Sequence, residues 1–363
     1  MRGGADAAGS VGSTATATQE LLRRAWELRK APDPKGMVQL LSAVVPREVL
    51  GDELELVHLL SWGLREIGEF RKSLDLQLEF ERAFRLRGND WLLRWWLLVA
   101  GTNWLNVGSA ERARESWLEC MELASRENDQ YSLAWATNNL GGLDSYVGQL
   151  GDALSNFQRA IAANQRMGYR RGLALAYHNT ADIYNQMGRY DEAVSTIGRA
   201  YDYARSLQSD LLLKWHQVVR ARSFIGTGDL EAGEALLQSS LPAFVGAGVA
   251  YQTITARTEL GRCLRLAGRR HEALGLLTDA LALARRTRAR LLQVFVLTEI
   301  ALLLDGNDRP RAVRAARRAR MTLLQFGSTY HLDRVFDEFT METREELLYD
   351  WAVEQRRKGG RSA

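Results

Sequence analysis

The chain has 363 residues, 46% hydrophobic and 25% charged, a normal soluble composition that suits two or three ordinary domains or one long repeat array. Two cysteines, Cys120 and Cys263, exclude a disulfide framework or a cysteine-based metal site. Only five prolines favour helices, and no apolar run reaches membrane-spanning length.

The first residues, MRGGADAAGSVGSTATATQE, are small and polar and lack the apolar core of a signal peptide. Residues 1–16 therefore read as a disordered tail, and the scarcity of cysteine fits a reduced, cytoplasmic compartment. Residues 17–30 form a predicted helix, stopped by APDPKG. A short helix from Gly36 to Val45 follows, so 17–53 reads as a helical cap or partial repeat.

From residue 54 a rhythm begins. Glycine occurs at Gly68, Gly108, Gly148, Gly188, Gly228 and Gly268, each step being 40 residues. Five residues after each stands a small residue: Ser73, Ala113, Ala153, Ala193, Gly233 and Ala273. Nine after stands a mostly bulky one, as at Trp117, Phe157, Ile197, Leu237 and Leu277, with Gln77 in the first copy. Twelve after stand Phe80, Cys120, Ala160, Ala200, Ser240 and Ala280. A seventh copy fits Ala312, Ala316 and Ala319 if one residue is deleted, which puts Asn307 at the glycine position. Apolar residues before each glycine recur at helical spacing, and the glycine suits the left-handed turn that ends a helix. A second amphipathic helix then starts, with acids such as Asp191 and Glu192 favourable to its dipole. Small side chains let the two helices approach, and the bulky column fills the space between them. Each hairpin alone leaves apolar faces exposed, so the unit must stack.

Leu140, Gly141, Gly148, Leu150, Ala153, Phe157 and Ala160 in the third copy carry a known pattern. Tyr177, Tyr184, Gly188, Tyr190, Ala193 and Ala200 carry it in the fourth. At these residues the sequence resembles the tetratricopeptide repeat family. The period is 40 rather than 34, which resembles the repeats of kinesin light chains, cell-polarity adaptors and the sensor arms of bacterial transcription regulators. The closing proline of the family pattern is missing. The resemblance implies an all-α, right-handed solenoid of about seven helix pairs over 54–330. Residues 331–356 then read as capping helices, with Phe336, Phe339, Leu347, Leu348 and Trp351 covering the last repeat, and 357–363 as a second disordered tail.

No chemistry assembles along the chain. The five histidines show no metal-ligand spacing, and HEALG at His271 lacks the second histidine of a zinc protease. GTGDLEAG at Gly226 is glycine-rich but lacks the phosphate-loop lysine and falls on an inter-helix turn. Cys120 sits in a packing column and reads as a buried, inert thiol. The expectation is a protein that is not an enzyme and has no cofactor or metal.

In the resembled family the concave face is lined by the first helix of each pair. Carried onto this chain, those positions are Trp135, Asn138 and Asn139, then His178, Asn179, Asp182, Asn185 and Gln186, then Trp215 and Arg222, then Glu259, Arg262 and Arg265. Asparagine can donate to and accept from a peptide backbone at once, and arginine can hold a carboxylate with two parallel bonds. The implied partner is a protein or peptide, with an acidic or carboxylate-ending ligand favoured. Trp62 and Trp95 are candidates for an aromatic contact surface, since tryptophan is favoured at binding hot spots. The alternative is a stand-alone sensor that binds a small effector or a DNA-binding partner. The arginine run Arg309–Arg320 reads as a solvated outer face paired with acids such as Asp333, Asp337 and Glu338, and no motif supports specific nucleic-acid binding. Self-association through Phe339, Leu347 and Trp351 stays open.

Overall fold

The computed structural model describes residues 6–30, 33–44, 53–87 and 90–359, which hold eighteen α-helices and one 3-10 turn, with no strand. Two helices, α1 (Asp6–Lys30) and α2 (Pro34–Val44), precede the array. Seven hairpins follow: α3 (Leu54–Glu66) with α4 (Phe70–Leu86), α5 (Asp90–Val107) with α6 (Ala110–Arg126), α7 (Gln130–Tyr146) with α8 (Leu150–Met167), α9 (Arg170–Gln186) with α10 (Tyr190–Ser206), α11 (Asp210–Thr227) with α12 (Leu230–Gly246), α13 (Ala250–Leu266) with α14 (Arg270–Arg286), and α15 (Arg290–Leu304) with α16 (Arg309–Gln325). The chain ends in a single turn, α17 (Tyr330–Asp333), a 3-10 turn (Phe336–Glu338) and α18 (Met341–Gly359).

The hairpin turns keep the forty-residue rhythm. All six rhythmic glycines have positive φ, from +72° at Gly188 to +98° at Gly108. A second set of left-handed residues lies halfway between them: Asn128, Gly168, Gln208, Gly248 and Arg288. Three of these are not glycine, so the sequence pattern does not announce the inter-repeat turn as it does the hairpin turn. In the seventh hairpin the left-handed residue is Gly306 rather than Asn307. There α15 ends early at Leu304 and the loop is one residue longer, while Ala312, Ala316 and Ala319 keep the expected buried register.

α10 shows why one unit holds. Ala193, Ile197, Ala200 and Ala204 lie at i, i+4, i+7 and i+11 on one buried face. Asp191 and Glu192 occupy its first turn and Arg205 its last, matching the helix dipole. Burying Ile197 is worth about 1.5–3 kcal/mol. The bulky column meets a small column on the preceding helix. A methyl added at Gly141 would stand 2.8–3.0 Å from the Phe157 ring, and one at Gly261 2.7 Å from Leu277. The polar first copy is explained by a buried network: the Asn103 amide donates to Ser73 Oγ (2.7 Å) and to Gln77 Oε1 (2.8 Å), and Gln77 donates to the Trp96 carbonyl (3.2 Å).

Several expectations are corrected. Residues 6–16 are helical and continuous with α1, because extending an existing helix costs far less than starting one. Residues 1–5 of the expected tail lie outside the described residues. The expected Gly36–Val45 helix starts at Pro34, where proline is well tolerated, and ends at Val44, Val45 lying outside the described residues. At the other end α18 reaches Gly359, past the expected start of the second tail, of which residues 360–363 are not described. Phe339 and Leu347 are buried in the chain's own core, so they offer nothing to a second copy, whereas Leu348 is exposed. Arg309 and Arg317 pair with Glu346 and Asp350 on α18 rather than with Asp333, Asp337 or Glu338. Arg320 lies 4.6 Å from the Trp351 ring.

Curvature brings the ends of the array together. A methyl at Gly68 would lie 3.8 Å from the Thr287 carbonyl, and one at Gly108 3.3 Å from the Arg290 guanidinium. The turn of the first hairpin therefore abuts the junction of the sixth and seventh, and that of the second abuts the seventh. Tyr330 packs against the turn of the third, where a methyl at Gly148 would stand 2.5 Å from its ring.

Candidate functional site

The first helices of hairpins three to seven, with residues from 331–338, line a half-open cavity of about 550 Å³. Tyr146 and Tyr251 both line it. The Tyr251 phenol and then burial raise the Tyr146 hydroxyl well above its ordinary value. Phe295 closes one wall and meets His331 edge-on at 4.6 Å, while Tyr146 lies 6.1 Å from the same imidazole. Trp215 stacks on His178 at 4.9 Å.

The polar groups form a ladder between successive first helices. Arg222 on α11 bonds Asp182 on α9 (2.5 Å) and Glu259 on α13 (2.8 Å). Arg265 bonds Glu299 on α15 and Glu338 of the 3-10 turn, each at 3.0 Å. Arg262 reaches Glu259 and Glu299 only at 3.9 and 4.0 Å, so it is the loosest held of the three. Burial opposes the Arg222 charge, yet Asp182 and Glu259 hold its pKa above the ordinary value. Burial raises Glu299 despite its arginine neighbours. Of the cavity-lining residues, Asp182, Glu259, Glu299 and Glu338 carry acids and Arg222, Arg262 and Arg334 carry bases. The wall thus carries no cationic excess, and Arg222 is matched by carboxylates that the fold brings from the neighbouring repeats.

The amides are also engaged. Asn179 donates to Asn138 Oδ1 (2.9 Å), and Gln186 donates to Ser145 Oγ (2.9 Å). Asn185 donates to the Val219 carbonyl (3.0 Å) and accepts from Ser223 (2.7 Å), which ties α9 to α11. Among the described residues Gln186 Oε1, Glu259 Oε2 and His331 Nε2 have no hydrogen-bond partner. His178 and His216 share a bond between their Nδ1 atoms at 3.0 Å. Burial, then His216 and Arg222, push His178 well below the ordinary imidazole value, and burial pushes His216 down to about 4. His331 falls to about 3 through burial and Arg334. All three are neutral near pH 7.

Of the sequence-derived groove residues, the cavity gathers His178, Asn179, Asp182, Asn185, Gln186, Trp215, Arg222, Glu259 and Arg262. Trp135, Asn138, Asn139 and Arg265 are not in its wall. Trp135 instead ends an aromatic row with Tyr131 and Trp95, while Trp62 and Trp95 face Arg29. Trp96 and Trp117 are core residues, and Trp91 is 41% exposed. Tyr146, Tyr251, Phe295, His331, Arg334 and Glu338 escaped the sequence reading. The two tyrosines and Phe295 lie on first helices but outside the positions carried over, and no periodicity reaches residues 331–338. Cys120 and Cys263 are buried free thiols, and burial pushes Cys120 up to about 12.

No family model and no curated protein matches the sequence. Solved structures do match the fold. A Rap protein complexed with Competence and Sporulation Factor aligns at a TM-score of 0.62 and 14% identity, over 92% of this chain and 99% of that one. NprR in complex with its cognate peptide NprX aligns at 0.62 and 14%, over 97% and 99%. A STAND protein with a tetratricopeptide repeat sensor, PH0952 from Pyrococcus horikoshii, aligns at 0.57 and 14%, over 96% of this chain and 50% of that one. The chain folds as a tetratricopeptide-like repeat solenoid. In this TPR-like chain, as the lining shows, the first helices supply most of the cavity wall. Among the described residues no helix is long and apolar enough to cross a membrane.

Proposed function

We propose that this TPR-like chain is a non-enzymatic, cytoplasmic regulatory protein that takes a short peptide, or an effector of that size, in its central cavity. The cavity carries the reading: its volume of about 550 Å³ lies in the range of small-ligand sites. Aromatic faces stand beside a few convergent polar groups, including the unpartnered acceptors of Gln186 and Glu259 and the loosely held Arg262. Because the wall's acids are at least as many as its arginines, a strongly acidic ligand is not favoured here. Two similar folds were solved as complexes, one with a cognate peptide, which supports the same use of this one. Two buried free thiols fit a reducing compartment.

A second reading, an adaptor holding an extended partner along the whole groove, is less favoured because His331, Arg334, Val335 and Glu338 also line the cavity and narrow the room for one. Native mass spectrometry after incubation with the small-molecule and short-peptide fraction of a cell extract separates the two. The wild type should gain a non-covalent adduct that a Y251A/R262M variant of equal helicity does not. No adduct from that fraction, with capture of an intact protein instead, would favour the adaptor.

A further inference from the structure

At the other end of the inner surface, Arg29 of α1 stands among three tryptophans. Its guanidinium carbon is 5.1 Å from the Trp26 ring, 5.2 Å from Trp62 and 4.5 Å from Trp95. Its Nη1 lies 2.8 Å from His58 Nε2. Burial first, then Arg29 and Arg65, push His58 well below its ordinary value, so the imidazole is neutral and supplies no counter-charge. Glu55 accepts from Trp26 Nε1 (2.5 Å), and Glu66 is bonded to Arg65. Among the described residues Arg29 has no carboxylate within ion-pair distance. Burial, then Arg65, lower Arg29 to about 10, as expected of a cation held without an anion.

Arg29 thus differs from Arg222 and Arg265, whose charges are matched inside the fold. A guanidinium among rings carries its N–H donors in one plane along its edge. His58 meets one of those donors. A carboxylate suits the remaining edge, because it is planar and accepts two parallel bonds. The row continues away from Arg29: Trp95 stacks on Tyr131 at 5.3 Å and 30°, and Trp91, 41% exposed, is 6.1 Å from Trp95. A ring attached to the carboxylate would find flat partners along it.

We propose that Arg29 and the rings of Trp62, Trp91 and Trp95 form a second ligand site, separate from the central cavity, for a carboxylate carried beside an aromatic ring. Either a free aryl acid or a peptide ending in an aromatic residue presents that group.

The test uses the full chain and its intrinsic tryptophan fluorescence, with phenylacetate and N-acetyl-Gly-Phe as probes, each against its neutral amide. At least one acid should bind about tenfold or more tightly than its amide, the range of a charge-assisted hydrogen-bonded pair. The tighter acid identifies the source. In R29M the preference should fall to near unity. R29K, which keeps the charge but not the planar fork, should regain only a small part and guards against misfolding of R29M. R262M, in the central cavity, should leave it unchanged. Equal binding of acid and amide, no binding by either acid, or an acid preference that survives both Arg29 substitutions would overturn the proposal.

Discussion

Gly148 and Gly188 occupy the same turn position in adjacent hairpins, with φ of +83° and +72°. An alanine at either pays the left-handed strain of an L-residue, about 1–2 kcal/mol. Their surroundings differ. Nothing lies within 4 Å of a methyl at Gly188, whereas one at Gly148 meets Tyr330 ring carbons at 2.5 and 2.6 Å and its Cβ at 3.1 Å. G148A must therefore also displace Tyr330, an overpacking cost of about 1–3 kcal/mol. Tyr330 precedes His331, so the displacement should also loosen the segment that closes the cavity. Urea unfolding followed by circular dichroism should show G148A less stable than G188A by that excess, and hydrogen exchange should rise at 330–338 in G148A alone. In a Y330A background, which keeps only the Cβ at 3.1 Å, most of the excess should vanish. Equal costs in the wild-type background, or an excess undiminished without the Tyr330 ring, would refute the inference that the array closes on itself there.

Three further outcomes are expected. The neutral histidines bind protons more readily once unfolded, so stability is full above about pH 6.5 and falls as pH drops toward the folded values of about 4 for His216 and about 3 for His331. By pH 5 each contributes a loss of about 2 kcal/mol, and urea midpoints of H331F should fall less steeply with pH than the wild type's. G141A should cost about 1–3 kcal/mol by driving a methyl into the Phe157 ring, and F157L should relieve it; unchanged thermal midpoints would argue against that contact. R222M should cost about 3–5 kcal/mol by stranding Asp182 and Glu259, and D182N/E259Q in the same chain should recover most of it, as read by chemical denaturation.

Much of the candidate site was legible because the first-helix positions repeat every forty residues: His178, Asp182, Arg222 and Glu259 could be placed by counting. What counting could not supply was their partners. Asp182 and Arg222 are forty residues apart, so each alone resembles a side chain awaiting a ligand, and only stacking of α9 on α11 shows them bonded to one another. Arg29 lies outside the periodic region altogether, and the rings around it come from α1, α3 and α5.

The amino-acid order alone determined the hairpin unit, its turn glycines and its buried columns, because these depend on contacts within one repeat and on backbone sterics that act over a few residues. The curvature, the cavity and the pairing of charges were decided only by the tertiary structure. Small rotations between successive hairpins add up along the array, and their sum carries Tyr330 to Gly148 and Thr287 to Gly68 across a separation that no local pattern encodes.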